Sequence, residues 1–116
     1  MILILGGAYQ GKLTYAAQRY SLQKNDIFDL STCDPDRHFP SFTHLEALTK
    51  RDPDPEKFLP LFRDSILISR EIGSGIVPMD PEERAWRERH GALVQKIAAQ
   101  SKCVVRIFCG LEEVLK

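Results

Sequence analysis

The chain has 116 residues, and its sixteen Lys and Arg balance sixteen Asp and Glu, so the formal net charge is zero. That balance excludes recruitment of nucleic acid or an anionic membrane by a global field, leaving any anion binding to a local site. With 43% hydrophobic and 28% charged residues, the composition predicts one ordinary globular domain over residues 1–116.

The apolar runs are far shorter than a membrane span, and the N-terminus lacks the basic flank and cleavage site of a signal peptide. Cys33, Cys103 and Cys109 are odd in number and have no metal-ligand spacing. They read as reduced thiols, with Cys103 and Cys109 as small buried hydrophobes, and the expected compartment is the cytoplasm.

Met1-Ile2-Leu3-Ile4-Leu5 predicts a buried strand, and Gly6-Gly7-Ala8-Tyr9-Gln10-Gly11-Lys12 follows it at once. This is the G-x-x-x-x-G-K portion of a phosphate-binding loop, placed between a strand and a helix. Glycines let the backbone curl so that several N–H groups point inward, and the positive end of the next helix adds to the same anion site. Gly6, Gly7, Ala8, Tyr9, Gln10, Gly11, Lys12, Leu13 and Thr14 are the expected nucleotide-binding residues, with Lys12 reaching the β- and γ-phosphates of ATP or GTP. The position after the lysine normally offers a hydroxyl to Mg²⁺, but here it is Leu13. Thr14 is rotated from it by about 100° and cannot simply substitute. It reads either as a helper to a phosphate or metal-bound water or as a helix-surface threonine.

Residues 12–23 predict a helix, with Leu13, Ala16, Ala17 and Tyr20 as its inward stripe. Asn25-Asp26 ends it, and Ile27-Phe28-Asp29-Leu30 reads as a second strand. Residues 31–41 are turn formers at the carboxyl end of that strand, the edge where open α/β sheets bind ligands. Residues 41–50 read as a short helix with Phe42, Leu45 and Leu48 inward. Asp54 and Pro55 then predict an N-cap and first position of another, reaching Phe62. Residues 65–69 predict a central third strand, and residues 71–78 a loop of apolar residues around Gly73 and Gly75. Asp80-Pro81-Glu82-Glu83 opens the longest helix, with Trp86, His90, Leu93 and Ile97 in line. Residues 102–108 predict a fourth strand, and residues 109–116 a short tail. Strands separated by helices imply a three-layer α/β domain, P-loop NTPase-like, with a mostly parallel sheet of about four or five strands. Strand order stays open.

Two stretches together resemble one family. ILILGGAYQGK is similar to the start of the bifunctional adenosylcobinamide kinase / adenosylcobinamide-phosphate guanylyltransferases of cobalamin biosynthesis. REIGSGIVPMDPEERAWRERHGALVQKIAAQ looks like that family's E-(V/I)-G-x-G-I-V-P loop and the helix after it, and VVRIFCGLEEVLK like its last strand. The resemblance covers about half the chain and implies phosphoryl or GMP transfer to a corrinoid, from ATP or GTP with Mg²⁺, by a homo-oligomer. The departures are Leu13 for the metal-binding hydroxyl, Tyr9 and Gln10 where Arg and Ser are usual, Val94 for an Asn, and a shorter middle region. The family's guanylylated histidine lies in that region, where this chain offers His38 and His44 without the surrounding pattern.

His38, His44 and Lys12 are therefore the candidate catalytic residues. A nucleophilic histidine must be unprotonated and held by a neighbouring acceptor, for which Asp34, Asp36 and Glu46 are available. Glu71 reads equally as a Mg²⁺-positioning carboxylate or a cap for loop N–H groups, and Asp29 reads as the other acidic metal candidate or, in preference, as a surface acid at a strand end. Gly73 and Gly75 are candidates for close backbone approach to a substrate or to the neighbouring strand. Three functions compete: an enzyme of this type, a non-catalytic nucleotide-binding relative lacking part of the chemistry, and a structural subunit assembling through a sheet edge.

Overall fold

The computed structural model describes residues 1–72 and 80–116. Among them the strands are β1 (Ile2–Gly6), β2 (Ile27–Asp29), β3 (Ser41–Thr43), β4 (Ile66–Arg70), β5 (Cys103–Phe108) and β6 (Leu111–Val114). The helices are α1 (Lys12–Arg19), α2 (Leu45–Arg51), α3 (Leu59–Phe62) and α4 (Pro81–Gln100), with 3₁₀ turns at Lys24–Asp26 and Pro55–Phe58. One sheet runs in the order β2-β3-β4-β1-β5-β6. Its first five strands are parallel, and β6 returns antiparallel to β5.

Alternation along the central strands builds two cores, one on each face. Leu3, Leu67 and Val104 share one face with Phe42, Leu45, Leu48, Phe62, Leu93 and Ile97, under α2, α3 and α4. Ile4, Ile68, Val105 and Ile107 share the other with Ala16 of α1. Helices on both faces of a mostly parallel sheet make the expected three-layer α/β arrangement.

The differences from the sequence reading are local. Ser41-Phe42-Thr43 is a strand rather than the first turn of a helix, because its backbone pairs with β2 and β4. The expected tail contains β6, giving six strands instead of four or five. Helix α1 ends at Arg19, and Leu13 is exposed rather than inward, since the first turn of α1 lies beyond the sheet's edge. The 55–62 segment opens as a 3₁₀ turn, and the Asp54 side chain caps nothing. Instead the buried Asp52 accepts from the Asp54 N–H at 2.8 Å and pairs with Lys57 at 2.9 Å. Cys109 and Cys33 are exposed and Cys103 half-buried, so the buried-hydrophobe reading fails for Cys109, which sits in the β5–β6 turn.

Helix α4 begins as its sequence dictates, the Asp80 carboxylate accepting from the Glu82 N–H at 3.0 Å. Its buried stripe is Trp86, His90, Leu93 and Ile97. His90 bridges Thr49 Oγ1 of α2 at 2.8 Å and Ser69 Oγ of β4 at 3.1 Å, while Trp86 Nε1 donates to Thr49 Oγ1 at 3.0 Å. Burial is the main cause that pushes the His90 imidazole down to about 4, Glu46 opposing it and Arg70 adding to it.

An ordinary unfolded histidine binds its proton near pH 6.5, so between that value and about 4 the unfolded state takes up more protons than the folded one. Stability from this residue is therefore complete above the unfolded value and is lost as pH falls through the window. Denaturant unfolding from pH 7 down to pH 4 is expected to show a loss of about 3 kcal/mol that is missing in His90→Gln.

Candidate functional site

Strand β1 ends at Gly6, where its backbone lies close against β5. A Cβ on Gly6 would lie 2.7 Å from the Ile107 carbonyl oxygen of β5. The loop then turns through Tyr9 (φ 60°) and Gly11 (φ 89°), both left-handed, and α1 begins at Lys12. Gln10 anchors the loop to the β5–β6 turn: its side-chain oxygen accepts from the Cys109 N–H at 2.6 Å and its carbonyl from the Gly110 N–H at 3.0 Å. Among the described residues no side chain caps the first turn of α1, which also carries no acidic residue. A helix start of this kind leaves N–H groups and a partial positive charge unmatched at this site.

That site is a cavity of about 350 Å³ lined by Ala8, Tyr9, Gly11, Lys12, Leu13 and Thr14 from the loop and α1. Thr43, His44 and Glu46 line it from the β3–α2 junction, and Ile68 and Arg70 from β4. Lys12 Nζ donates to the Gly7 carbonyl at 2.7 Å, folding the ammonium back across the loop. Burial is the largest cause lowering its pKa, with Arg70 acting the same way and Glu46 and Glu71 opposing.

His44 enters from α2, where it is the N-cap residue in a left-handed conformation (φ 62°). A non-glycine residue there costs on the order of 1 kcal/mol and is held by its surroundings. Here the holder is Asp29, at the end of β2, whose Oδ1 lies 2.8 Å from His44 Nδ1. Parallel pairing of β2 with β3 sets Asp29 beside Thr43 and so brings the carboxylate to the imidazole. Asp29 also accepts from the Ser31 N–H at 2.9 Å and Oγ at 2.6 Å. Burial works to raise the Asp29 carboxyl, but the Ser31 and His44 hydrogen bonds outweigh it and hold the pKa below the ordinary value. An ionised Asp29 can only accept, so Nδ1 carries the proton and Nε2 of the neutral ring keeps its lone pair.

Among the described residues, the structure does not bring His38, Asp34, Asp36 or Glu71 to this cavity. His38 lines a separate cleft at the opposite, amino-terminal edge of the sheet with Met1, Ile2 and Ser65, and Nε2 meets the Arg63 carbonyl and Ser65 Oγ, each at 3.0 Å. Segment 31–40 crosses from the carboxyl end of β2 to the amino end of β3, so it delivers Asp29 and His38 to opposite edges. Glu71 pairs with Arg106 at 3.0 Å and lines a second cavity with Leu5, Arg70, Ile72, His90, Gly91 and Val94. Asp34 pairs with Arg51 at 2.7 Å, so Asp29 and not Asp34 holds the histidine. Gly73 and Gly75 lie outside the described residues.

Mg²⁺ prefers hard oxygen donors and keeps several waters, binding through one or two protein oxygens plus substrate phosphates. The Glu46 carboxylate and the Thr14 and Thr43 hydroxyls are such donors lining the cavity, and the donor set fits on that count. Among the described residues no group of three His, Cys, Asp or Glu is spaced to hold a metal by itself. Thr43 and Arg70 were missed in the sequence. The available signal was a polar or charged residue ending an apolar strand at the carboxyl edge.

The fold and cavity define an α/β protein with a glycine-rich loop beside a cavity at the carboxyl edge of a mostly parallel sheet. Residues 55–115, more than half the chain, match the family described as cobinamide kinase / cobinamide phosphate guanyltransferase. The chain belongs to that family. The matched stretch contains β4, α4, β5 and β6, and the glycine-rich loop and His44 fall before it. No curated protein matches the chain. No helix among the described residues is long and apolar enough to cross a membrane.

The close approach at Gly6 gives a direct test of the loop's construction. Gly6→Ala is expected to push β1 away from β5 at a cost of about 1–3 kcal/mol, read as a lowered denaturation midpoint. An unchanged midpoint would mean that the strands are not held at this spacing.

Proposed function

We propose that the protein binds ATP or GTP at the glycine-rich loop and transfers a phosphoryl or guanylyl group to a corrinoid acceptor. The observation that carries this reading is one cavity lined by Lys12, the uncapped first turn of α1 and His44, whose imidazole is held from behind by Asp29. The loop has the order and spacing of a P-loop, and membership of the kinase/guanyltransferase family supports the reaction class.

In the guanylyl reaction, loop N–H groups and Lys12 hold the phosphates and stabilise charge on the bridging oxygen. His44 Nε2 attacks the α-phosphorus of GTP, an N–P bond forms, and the P–O bond to the β-phosphate breaks to release pyrophosphate. Asp29 keeps the Nδ1 proton in place and stabilises the ring as it becomes cationic. A phosphate oxygen of the corrinoid acceptor then attacks the same phosphorus, the N–P bond breaks, and the imidazole returns to its starting form. Mg²⁺, when bound near Glu46 and Thr43, neutralises phosphate charge.

Leu13 favours one second reading. A cavity lined by a leucine where a hydroxyl would meet the metal suits a relative that binds nucleotide without turning it over.

Calorimetric titration with GTP and ATP, with and without Mg²⁺, is expected to show binding that falls at least about tenfold in Lys12→Ala. Incubation with α-labelled GTP is expected to leave an acid-labile, alkali-stable label that His44→Ala removes and His38→Ala retains. Binding without label would select the second reading, and no heat with either nucleotide from folded protein would overturn both.

A further inference from the structure

Among the described lining residues, Arg70 alone is shared by the two cavities at the carboxyl edge. It ends β4 in register with Gly6 of β1, so its Cα lies one strand spacing, about 4.8 Å, from the start of the glycine-rich loop. Alternation puts it on the face of Ile68, which packs in the α1-side core, whereas Ser69 meets His90 on the other face. Arg70 is thereby on the Lys12 side of the sheet.

The charged groups around it are already engaged. Glu46 Oε1 accepts from the Arg70 backbone N–H at 2.8 Å, and Glu71 pairs with Arg106 at 3.0 Å. Among the described residues the Arg70 guanidinium makes no hydrogen bond or ion pair, and its residue is exposed. Two cations, Lys12 and Arg70, thus line one cavity, and among the described residues the one hydrogen bond of the Lys12 ammonium goes to the Gly7 carbonyl. Like charges are unfavourable together unless a polyanion lies between them. A guanidinium also offers a planar fork that matches a phosphate with two parallel N–H···O bonds. With Leu13 in place of a hydroxyl, charge on the outer phosphates has to be met by another group, and Arg70 is beside it.

We infer that Arg70 is a phosphate-binding residue that grips the terminal phosphate of a nucleoside triphosphate seated in the glycine-rich loop. The inference rests on the nucleotide reading above and adds a second cation, supplied by the neighbouring strand, to the one supplied by the loop. It makes the site selective for triphosphates over diphosphates, because a diphosphate ends before it reaches the guanidinium.

The test is calorimetric titration of wild type, Lys12→Ala, Arg70→Gln and Arg70→Lys with GTP, GDP and inorganic tripolyphosphate, after each variant is shown to keep the wild-type melting temperature. Arg70→Gln is expected to weaken GTP and tripolyphosphate about ten- to a hundredfold and GDP less than about threefold. Arg70→Lys, which keeps the charge but loses the fork, is expected to fall between. Wild-type GTP affinity in Arg70→Gln, or equal loss for GTP and GDP, would overturn the inference while Lys12-dependent binding left the nucleotide reading standing. A wild-type protein that binds neither nucleotide nor tripolyphosphate would overturn both.

Discussion

Thr49 is fully buried between α2 and α4, and its single hydroxyl meets three partners: Trp86, His90 and the Glu46 carbonyl. A hydroxyl has one proton and two lone pairs, so this oxygen is saturated and its position is fixed by all three. His90 carries the chain onward to Ser69 of β4, and Arg89 closes the end of α2 by donating to the Thr49 carbonyl at 2.8 Å. The result is that α2 has little freedom to slide against β4. Among the described residues no buried side-chain polar atom lacks a partner. Such a network orients rather than merely stabilises, since any shift of α2 breaks several bonds at once. His44 and Glu46 sit at the start of that helix.

The cavity therefore assembles from segments with different anchors. The loop is strung between β1 and α1 and tied down by Gln10, while His44 depends on α2 and on Asp29 of β2. Arg70 is carried by the end of β4, in register with Gly6 and with its N–H held by Glu46. Parallel strands make this possible, because all their carboxyl ends, and the loops leaving them, open on the same edge. The left-handed backbone of Tyr9 and His44 marks both places where the chain must turn sharply into the cavity.

What could be read from the sequence followed from how local each signal is. The glycine-rich loop is contiguous, so its residues and their order were legible, as were the cap and buried stripe of α4. Strand β3 was not, because Phe42, Leu45 and Leu48 repeat at three-residue spacing and fit a helix as well as a three-residue strand followed by one. Strand β6 carries Glu112 and Glu113 and leaves Leu111 and Val114 exposed, so nothing in its pattern announces burial. It exists through pairing with β5. The same limit explains the site. Asp29 and His44 meet because β2 pairs with β3, and Asp29 therefore reads as a surface acid until that pairing is known. Arg70 is one residue from the acidic candidate Glu71, yet strand alternation and the Arg106 pair give the two opposite surroundings.

Strand β1 sits at the centre of the sheet, with Ile2 paired on one side to Ile66 and on the other to Cys103. On the ribosome, this strand leaves the exit tunnel long before either neighbour has been made. The α1-side core and the Gln10 tether both wait for β5 and its return turn, so the glycine-rich loop is among the last features to close. Such distant pairings are slow to form and leave an apolar strand uncovered in the meantime. A nascent chain of this protein is therefore most exposed to misassembly before it can bind any ligand, and its anion site matures only with the completed sheet.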